Sequence, residues 1–519
     1  MTTYERKTPP ALLLIPCFVA LLFSSFTCRA YAADKPRTNI LFIYTDDQSH
    51  RTVSCYPEAH DWVRTPNINA LAKRGMRFTH AYIGTWCMPS RATLLTGHHQ
   101  FAVESMRMEG PYPGGTYDPK QCPFWPSEFR RNGYTTGQIG KWHTGTDTGF
   151  GRDWDYQAVW NRPKYTKNAG KYYDDQLISF NGEEARPVKG YSTDNYTDWA
   201  VDFIRGQHRD PTKPWYLWLC YGAVHGPSIP APRHRDAYPD ARVPTPVDIY
   251  PPRPGKPAHL QKLETWIPNA QGEPVLKTGK EPIGNRKTLT EQVRQYQQCV
   301  LAIDEGVGRL VKALNETGQT ERTLIVFTSD QGFAWGQHGF RAQLAPYDDN
   351  LRAPLIASLP GAVPQNSVCK VPVGGADLVP TFFHFAGIEH PWTMHGRDLS
   401  PLLHNPNATL PRPLLLTSTG ASFGSDTKRI PAEFETTLQN VPWWVFLRDQ
   451  RYKYIRTLVA NEVEELYDLE TDPQELTNLA LDAAQASRLT SMREQAVAEL
   501  RRAGAAMADH LPPVKTAGR

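Results

Sequence analysis

Four short apolar runs, rich in β-branched and aromatic residues, predict the centre of a sheet. They are residues 39–45, 134–139, 215–221 and 324–328. Apolar strands of this kind are typical of a parallel sheet that is covered on both faces. Helices are indicated by capping residues or apolar spacing at 65–72, 194–204, 289–314 and 377–386. The pattern therefore predicts an α/β fold with a large mixed, mostly parallel sheet flanked by helices.

The pattern changes after about residue 396. Residues 414–418 and 443–455 predict strands of a smaller antiparallel sheet, and a terminal helix is predicted over about 483–503. We therefore expect an N-terminal α/β catalytic domain over 33–396 and a smaller C-terminal α+β domain over 397–519.

The first residues have the pattern of an export signal. Two basic residues precede an apolar run over 11–26, and Ala30-Tyr31-Ala32 follows as a cleavage site. We predict a signal peptide over 1–32 and an exported protein, periplasmic or secreted. The alternative is an N-terminal membrane anchor, which the shortness of the run disfavours. No later segment approaches the length of a membrane span, so no span is expected after cleavage.

Charge and cysteine content narrow the function only slightly. A formal net charge of +4 over 519 residues is too small to indicate a nucleic-acid partner. The spacing of the cysteines after residue 32 matches no metal-binding repeat, and export permits disulfides among them. These cysteines are Cys55, Cys87, Cys122, Cys220, Cys299 and Cys369.

Carboxylates and an amide directly follow two of the predicted strands. Asp46 and Asp47 follow the first strand, and Asp330 and Gln331 follow the fourth. In open α/β sheets, ligands bind at the carboxyl ends of the strands. An all-oxygen set suits Ca²⁺, or else Mg²⁺, rather than zinc. The alternative for an isolated Asp-Asp pair is a solvated turn.

Basic residues and histidines follow the other two strands. Lys141 and His143 are two residues apart, so in an extended chain they point to the same side. His225 follows the strand at 215–221. The alternative is a surface lysine and partly buried histidines.

Residues 87–97 predict a loop that enters a short helix. Pro89 suits the first helical position and Gly97 suits a C-cap. Cys87 precedes the predicted start, where free N–H groups favour an anion. Arg91 lies four residues later, one helical turn away. Together they suggest an oxyanion site, and the alternative is a Cys87 that is simply a small buried side chain.

The order Cys-x-Pro-Ser-Arg-x-x-x-Leu-Thr-Gly over 87–97 resembles the signature of the sulfatase family, within the alkaline-phosphatase superfamily. Gly-Lys-Trp-His at 140–143 and Leu-Tyr-Asp-Leu at 466–469 are similar to further segments of that family. The likeness spans nearly the whole mature chain and is weakest over 154–288. It implies a sulfuric ester hydrolase whose Cys87 is oxidised to formylglycine by a formylglycine-generating enzyme.

The resemblance also implies a cation, usually Ca²⁺, beside the formylglycine. Hydrated formylglycine attacks sulfur and displaces the alcohol, and its second hydroxyl then drives the elimination of sulfate. The implied cation ligands are Asp46, Asp47, Asp330, Gln331 and the modified Cys87.

The remaining candidates take catalytic roles by the same resemblance. His143 is the base that helps the elimination, and His225 protonates the leaving oxygen. Arg91 and Lys141 hold the modified side chain and stabilise developing negative charge. Lys141 and His225 are also expected to contact the substrate.

Two positions depart from the family pattern. A sulfate-binding lysine usually stands five residues after the histidine of a His-Gly pair, and counting from His338 that position is Gln343. Arg341 lies nearby and is our candidate for the missing contact. Gln331 occupies a ligand position where Asn or His is commoner, although its carbonyl can still bind a cation.

Residues 153–173 are rich in aromatic and basic residues and have no long helical period. We predict a loop excursion whose aromatic faces suit sugar rings and whose bases suit sulfate groups. An insertion that packs on its own aromatic residues is the equal alternative.

The leading hypothesis is an exported sulfatase that hydrolyses sulfate monoesters of carbohydrate or polysaccharide. One alternative is a phosphonate or phosphate monoester hydrolase with the same modified cysteine. Another is a catalytically silent protein that binds sulfated glycans and keeps Cys87 unmodified.

Overall fold

The computed structural model of the protein describes residues 1–5, 37–104, 124–431 and 441–515. The chain divides into two units, residues 1–36 and 37–519, and the helices and strands named below belong to the second. Residues 6–32 of the predicted signal peptide lie outside the described residues, as does Cys122.

Seventeen strands form over the described residues. They are β1 (Asn39–Thr45), β2 (Met76–Tyr82), β3 (Thr135–Trp142), β4 (Tyr156–Asn161), β5 (Gln176–Phe180), β6 (Arg186–Val188), β7 (Trp215–Cys220), β8 (Trp266–Pro268), β9 (Pro274–Leu276), β10 (Thr323–Ser329), β11 (Ala353–Ser358), β12 (Ser367–Cys369), β13 (Val373–Gly374), β14 (Leu414–Ser418), β15 (Trp444–Arg448), β16 (Tyr452–Thr457) and β17 (Glu464–Asp468).

Ten α-helices accompany these strands in the same described parts of the chain. They are α1 (Pro66–Lys73), α2 (Cys87–Thr96), α3 (Trp125–Arg131), α4 (Ser192–Ile204), α5 (Ala258–Gln261), α6 (Leu289–Glu316), α7 (Asp348–Leu351), α8 (Gly375–Ala386), α9 (Ser400–His404) and α10 (Ala486–Arg502).

The main sheet is mixed and has a parallel centre. Strands β10, β1, β7, β3 and β4 lie side by side and run parallel. On one side β11 is antiparallel to both β10 and β2, and β12 and β13 pair with β2. On the other side β5 and β6 extend the sheet as antiparallel strands. The predicted α/β fold with a mostly parallel sheet is confirmed.

Helices cover the main sheet on both faces. Along β1, Ile40, Phe42 and Tyr44 pack with α2, α3 and α8, while Leu41 and Ile43 pack with α1, α4 and α6. Successive side chains of a strand point to opposite faces, so both sets must be apolar. This double burial explains why the central strands are continuous apolar runs.

The prediction of a loop excursion over 153–173 is wrong. Residues 156–161 form β4, which pairs parallel with β3. Trp154 and Trp160 are fully buried. This strand contains buried polar residues, Gln157 and Asn161, so it shows neither a continuous apolar run nor an alternating pattern. The aromatic residues of this segment mainly fill the core of the sheet, where Trp154 stacks on Tyr216 and Trp218 of β7, so they do not form the self-packed insertion of the alternative.

Helix α2 begins two residues earlier than predicted. Cys87 is its first residue, Trp86 is its N-cap, and Gly97 ends it with a left-handed φ of 72°. Pro89 is the third helical residue. The first four N–H groups of a helix have no intrahelical acceptor, so a proline there costs no hydrogen bond.

The smaller antiparallel sheet is confirmed, and its order is β14-β15-β16-β17. One face packs on α10 through Met492, Ala496 and Leu500. The other face contributes Phe446 and Ile455 to the core of the main sheet. Residues 37–519 accordingly form one compact unit. The domain boundary at residue 396 stays a prediction.

A buried ion network joins the small sheet to the rest of the fold. Lys453 of β16 is fully buried, and its Nζ lies 3.0 Å from Asp348 Oδ1 and 2.7 Å from Glu475 Oε1. Asp348 also accepts hydrogen bonds from Arg448 Nη1 at 3.2 Å and Tyr82 OH at 2.7 Å. Each charge is thereby compensated, which a buried charge requires.

Replacing Lys453 with Met is expected to lower the free energy of unfolding by about 3–5 kcal/mol, because it leaves buried carboxylates undercompensated. Chemical denaturation measures the change. Arg451→Met is the matched control, since Arg451 pairs with Asp468 at the surface with 45% of its side chain exposed. The control is expected to have far less effect. Equal losses in the two variants would contradict a special role for the buried network.

Candidate active site

The residues predicted to form a site meet at the carboxyl edge of the parallel strands. Asp46 and Asp47 follow β1, and Asp330 follows β10, in which Ser329 pairs with Thr45 of β1. His225 follows β7 on the other side of β1. Neighbouring parallel strands end at the same edge, so their following residues converge.

The backbone at Asp47 turns both aspartates toward one point. Successive side chains of an extended chain point to opposite sides. Asp47 instead has a left-handed φ of 58°, a conformation that Asp tolerates better than most residues. Tyr296 of α6 fixes the turn, because its hydroxyl donates to Asp47 O at 2.5 Å and accepts from Ser49 N at 2.9 Å.

The first residue of α2 completes a compact group of ligand atoms. The Cys87 thiol donates to Asp46 Oδ1 over 3.2 Å. One ligand atom from each of Asp46, Asp47 and Cys87 lies within 4.8 Å of the others, and all three residues are buried. The N-terminus of the helix adds free N–H groups and a positive dipole end. The end of the helix by itself favours negative charge on the side chain of residue 87, whereas burial and the neighbouring carboxylates oppose it.

Two buried cations face the carboxylates. Arg91 Nη2 lies 3.1 Å from Asp330 Oδ2 and 3.9 Å from Asp46 Oδ1. Lys141 Nζ makes an ion pair with Asp46 Oδ2. Lys141 belongs to β3, which extends through Trp142, beyond the predicted strand end at 139. Two cations against three carboxylates leave a net negative charge.

The charges separate the pKa values of the three carboxyl groups. Burial raises the pKa of Asp46, but the attraction of Lys141 and other cations is stronger and holds it well below its usual range. Burial and repulsion from Asp46 raise the pKa of Asp47 well above its usual range and that of Asp330 to about 7. Burial and Asp46 likewise raise the pKa of the Cys87 thiol.

This group of residues fits a divalent cation. Its carboxylates are hard oxygen ligands, and their raised pKa values show that the protein's own cations do not fully compensate them. Gln331 fits a cation only if its side-chain amide is turned over. Its Nε2 donates to Asp47 Oδ1, while its Oε1 lies 3.5 Å from Ser90 Oγ. The amide must turn over before its oxygen can bind a cation.

The histidines lie in a layer of aromatic and basic side chains. His143 is buried, and Arg162 Nη1 lies 2.9 Å from its Nε2. Burial and the charges of Arg162 and Lys141 lower the pKa of His143 well below its usual range. The His225 ring stacks on Tyr172 with centroids 4.0 Å apart.

His225 is the more accessible histidine, with 28% of its side chain exposed. Its Nδ1 lies 2.8 Å from Gly226 O, and its Nε2 lies 3.7 Å from Asp47 Oδ2. Burial lowers the pKa of His225 to about 4, with Lys141 acting in the same direction and Asp46 opposing it. With Nδ1 held by a carbonyl, Nε2 is the atom that faces the carboxylates.

Three residues beside the site were not among the predicted site residues, although two of them, Arg162 and Tyr172, belong to the segment 153–173 that was expected to offer aromatic and basic contacts. Arg162 follows β4 directly, so its position at the edge was hidden with that strand. Tyr172 lies in the same misjudged segment, and Lys141 Nζ sits 5.2 Å from the centre of its ring. Tyr296 is an apolar-face residue of a helix, and no local signal distinguishes it.

Gln343, which occupies the position of the missing lysine, and Arg341, the candidate for its contact, differ in their surroundings. Arg341 Nε donates to Gln292 Oε1 at 2.9 Å, and its guanidinium lies 5.3 Å from the centre of a ring of Trp335. Burial lowers the pKa of Arg341, and the charge of Asp47 opposes that shift, so the two charges act on each other. Gln343 is buried.

Comparison with known proteins identifies the family. The sulfatase family model matches residues 38–388. The chain belongs to the sulfatase family. It is therefore a sulfuric ester hydrolase, and the predictions of family and enzyme class are confirmed.

Named sulfatases match almost the whole chain. N-acetylglucosamine-6-O-sulfatase of Bacteroides thetaiotaomicron is 28% identical over 91% of this chain and 88% of the relative. Human N-acetylglucosamine-6-sulfatase is 27% identical over 91% of this chain and 85% of the relative.

Solved structures show the same fold. A protein in complex with its substrate D-glucosamine-2-N,6-O-disulfate matches with a TM-score of 0.74 and 25% identity, over 91% of this chain and 98% of that one. The phosphonate monoester hydrolase of Agrobacterium radiobacter matches with a TM-score of 0.65 and 22% identity, over 90% and 96%. At that identity the second likeness concerns the fold alone.

Two further observations bear on the remaining expectations. Among the residues that the structure describes, no helix combines the length and the apolar character that a membrane crossing requires. The described cysteines at 55, 87, 220, 299 and 369 are all free thiols.

Calcium is expected to raise the thermal unfolding midpoint, and more at about pH 8 than at about pH 5.5. The pKa of Asp330 is about 7 when folded against 3.8 ordinarily, so the cation-free protein loses stability as the pH rises from about 4 to 7. A cation binds the ionised carboxylates and removes this loss. At a hundredfold excess over Kd, it contributes about 2.7 kcal/mol.

Scanning fluorimetry with calcium or with a chelator measures the difference at each pH. Asp330→Asn is the control, and it is expected to reduce the pH dependence of the calcium effect to the part that Asp47, whose pKa is also raised, contributes. A calcium shift of the same size at both pH values would count against a cation on these carboxylates.

Proposed function

We propose that the protein is an exported hydrolase of sulfate monoesters on carbohydrate, acting through a formylglycine made from Cys87 and a divalent cation, Ca²⁺ or alternatively Mg²⁺. The observation that carries the proposal is the contact of Cys87 with Asp46 inside the carboxylate group, at the N-terminus of α2. The maturation partner is a formylglycine-generating enzyme.

The proposed cation ligands are the oxygen donors of the site, Asp46, Asp47, Asp330 and Gln331, with residue 87. Formylglycine, when formed, supplies a hydrated aldehyde that is a stronger nucleophile than a serine hydroxyl. The family membership and the acidic group support this assignment.

The protein's own side chains take the remaining roles. Arg91 and Lys141 hold residue 87 and stabilise negative charge as it develops, since both are buried against the carboxylates. His143 is the proposed base, because its lowered pKa keeps its ring neutral at pH 7. His225 passes a proton from Nε2 to the leaving oxygen. Because Gly226 O holds the Nδ1 proton and the pKa of the ring is about 4, Nε2 must first take up that proton from solvent, which the charge of Asp46 favours. Its partial exposure suits contact with substrate.

The substrate class is proposed from the relatives. Two of them are named as sulfatases of N-acetylglucosamine 6-sulfate, and a matching structure holds a disulfated glucosamine. We therefore propose a sulfated carbohydrate as the substrate. The phosphonate hydrolase with the same fold makes phosphonate and phosphate monoesters the second candidate class.

Mass spectrometry of the peptide across Cys87 is expected to show the aldehyde when the protein is made in a host with the maturation enzyme. That protein is expected to release sulfate from 6-O-sulfated N-acetylglucosamine faster than it cleaves phosphate or phosphonate monoesters. Cys87→Ala is expected to reduce turnover by on the order of 10⁴-fold or more, since it removes the nucleophile.

The other outcomes separate the alternatives. An intact thiol together with binding of sulfated glycan would favour the silent binding protein. Faster turnover of phosphate or phosphonate esters would favour the second hydrolase class.

Arg341 is proposed to supply the sulfate contact that the family lysine usually makes. Its charge acts on Asp47, and it is held by Gln292 and Trp335 rather than by a carboxylate. Arg341→Ala is expected to lower kcat/KM by about 10- to 100-fold, because a hydrogen bond to a charged group contributes about 1.5–3 kcal/mol. Steady-state kinetics measure this.

Two variants serve as controls for Arg341. Arg341→Lys is expected to recover part of the loss because it restores the charge, and Gln343→Ala is expected to have a smaller effect. Unchanged turnover and affinity in Arg341→Ala would exclude Arg341 as the sulfate contact.

A further inference from the structure

A basic depression lies beside the candidate active site. Its volume is about 350 Å³, and it forms between the first turns of α6 and the loop that follows His225. We define the basic depression by six of its lining residues, Arg235, Lys287, Glu291, Arg294, Gln295 and Gln298.

The depression lies at the same edge of the sheet as the carboxylate group. Helix α6 leads into β10 through a short connection, so its N-terminal turns stand at the carboxyl edge of that strand. One face of these turns reaches the site, since Tyr296 binds Asp47 and Gln292 binds Arg341. Gln295 and Gln298 line the depression instead.

A short, well-anchored loop connects the two places. Ser228 N donates to His225 O at 3.2 Å, and Gln295 Nε2 donates to Ser228 O at 2.8 Å. Gln298 Nε2 donates to Arg235 O at 2.7 Å. The wall of the depression is therefore tied to α6 and begins at Ile229, four residues after His225.

The charge of the depression suits an anion. Arg235 and Arg294 make no ion pair with any described carboxylate, and Lys287 Nζ contacts only the neutral amide of Gln295. The carboxylate of Glu291 is engaged in the cap of α6, where it accepts from Thr288 N at 2.8 Å.

One further acidic group bears on this charge. Asp174 is close enough to Arg235 for that cation to lower its pKa, against the larger effect of burial. Within the depression three cations still face one carboxylate that is already hydrogen-bonded. An anionic ligand there is favoured by their charges and by the N-terminal end of the α6 dipole.

We propose that the basic depression binds a second anionic group of the substrate, a sulfate or carboxylate on a neighbouring sugar of a sulfated saccharide chain. This inference rests on the proposed function and adds that the preferred substrate is a polyanionic oligosaccharide. Binding there holds the chain while the sulfate to be removed lies beside Cys87.

The test compares two substrates in a charge variant. Arg235→Gln, Lys287→Gln and Arg294→Gln are combined, and the matched control combines Lys213→Gln, Lys312→Gln and Arg322→Gln, exposed cations near the opposite edge of the sheet. The substrates are a sulfated glycosaminoglycan hexasaccharide and a small chromogenic aryl sulfate.

The depression variant is expected to raise KM for the hexasaccharide about tenfold with little change in kcat, and to leave the aryl sulfate within about twofold. The control variant is expected to leave both substrates within about twofold. An unchanged KM for the hexasaccharide, or equal losses on both substrates, would overturn the proposal.

A binding measurement tests the depression independently of the proposed catalytic function. Calorimetric titration of the hexasaccharide into Cys87→Ala, with and without the three depression substitutions, needs no turnover. A roughly tenfold weaker Kd in the combined variant supports the depression, and an equal Kd overturns it. Absence of sulfate release by the mature wild-type protein counts against the proposed function alone.

Discussion

The rest of the site depends on negative charge that is buried at one edge of the main sheet. Asp46, Asp47 and Asp330 are each at most 2% exposed. A buried carboxylate is costly unless cations or hydrogen-bond donors compensate it. Asp330 Oδ1 accepts from Asp47 N at 2.9 Å and from Gln331 N at 3.1 Å. Arg91 pairs with the other oxygen of Asp330, and Lys141 pairs with Asp46. Compensation therefore comes from α2, from β3 and from the turns after two strands, and none of these elements can move without exposing a charge to apolar surroundings.

The need to compensate this buried charge also explains the position and orientation of α2. All ten residues of the helix are buried, and its sequence accordingly has no distinct polar face. The N-terminal end points Cys87 at Asp46, and one turn later Arg91 reaches Asp330. The same helix thus brings both the side chain of residue 87 and a cation, Arg91, that compensates the carboxylates beside it. The left-handed Gly97 then ends the helix at once, so the chain can leave the core.

Most of this arrangement could be predicted from the sequence, because parallel strands share an edge and polar residues directly follow them. Pairing of Thr45 with Ser329 is enough to bring Asp46 near Asp330. The rest depends on contacts between distant residues. The φ of Asp47 is fixed by Tyr296, which is about 250 residues away, and neither residue has a local signal for it. The position of Arg162 at the edge could not be predicted, because buried polar residues interrupt the apolar pattern of β4 and its sequence resembles an irregular aromatic segment.

The distribution of charge shows why the small net charge of the chain says little about its ligands. Arg91 and Lys141 form ion pairs with the buried carboxylates, and the centre keeps a net negative charge that suits a cation. Farther out the sign reverses, with Arg341 near Asp47 and the three cations of the basic depression beyond α6. A cation at the centre would compensate the buried carboxylates, and an anion at the rim would compensate the surrounding basic residues. The two ligands also attract each other, so each favours the binding of the other. A sum over 519 residues cancels these opposite regions, whereas a ligand meets each region separately.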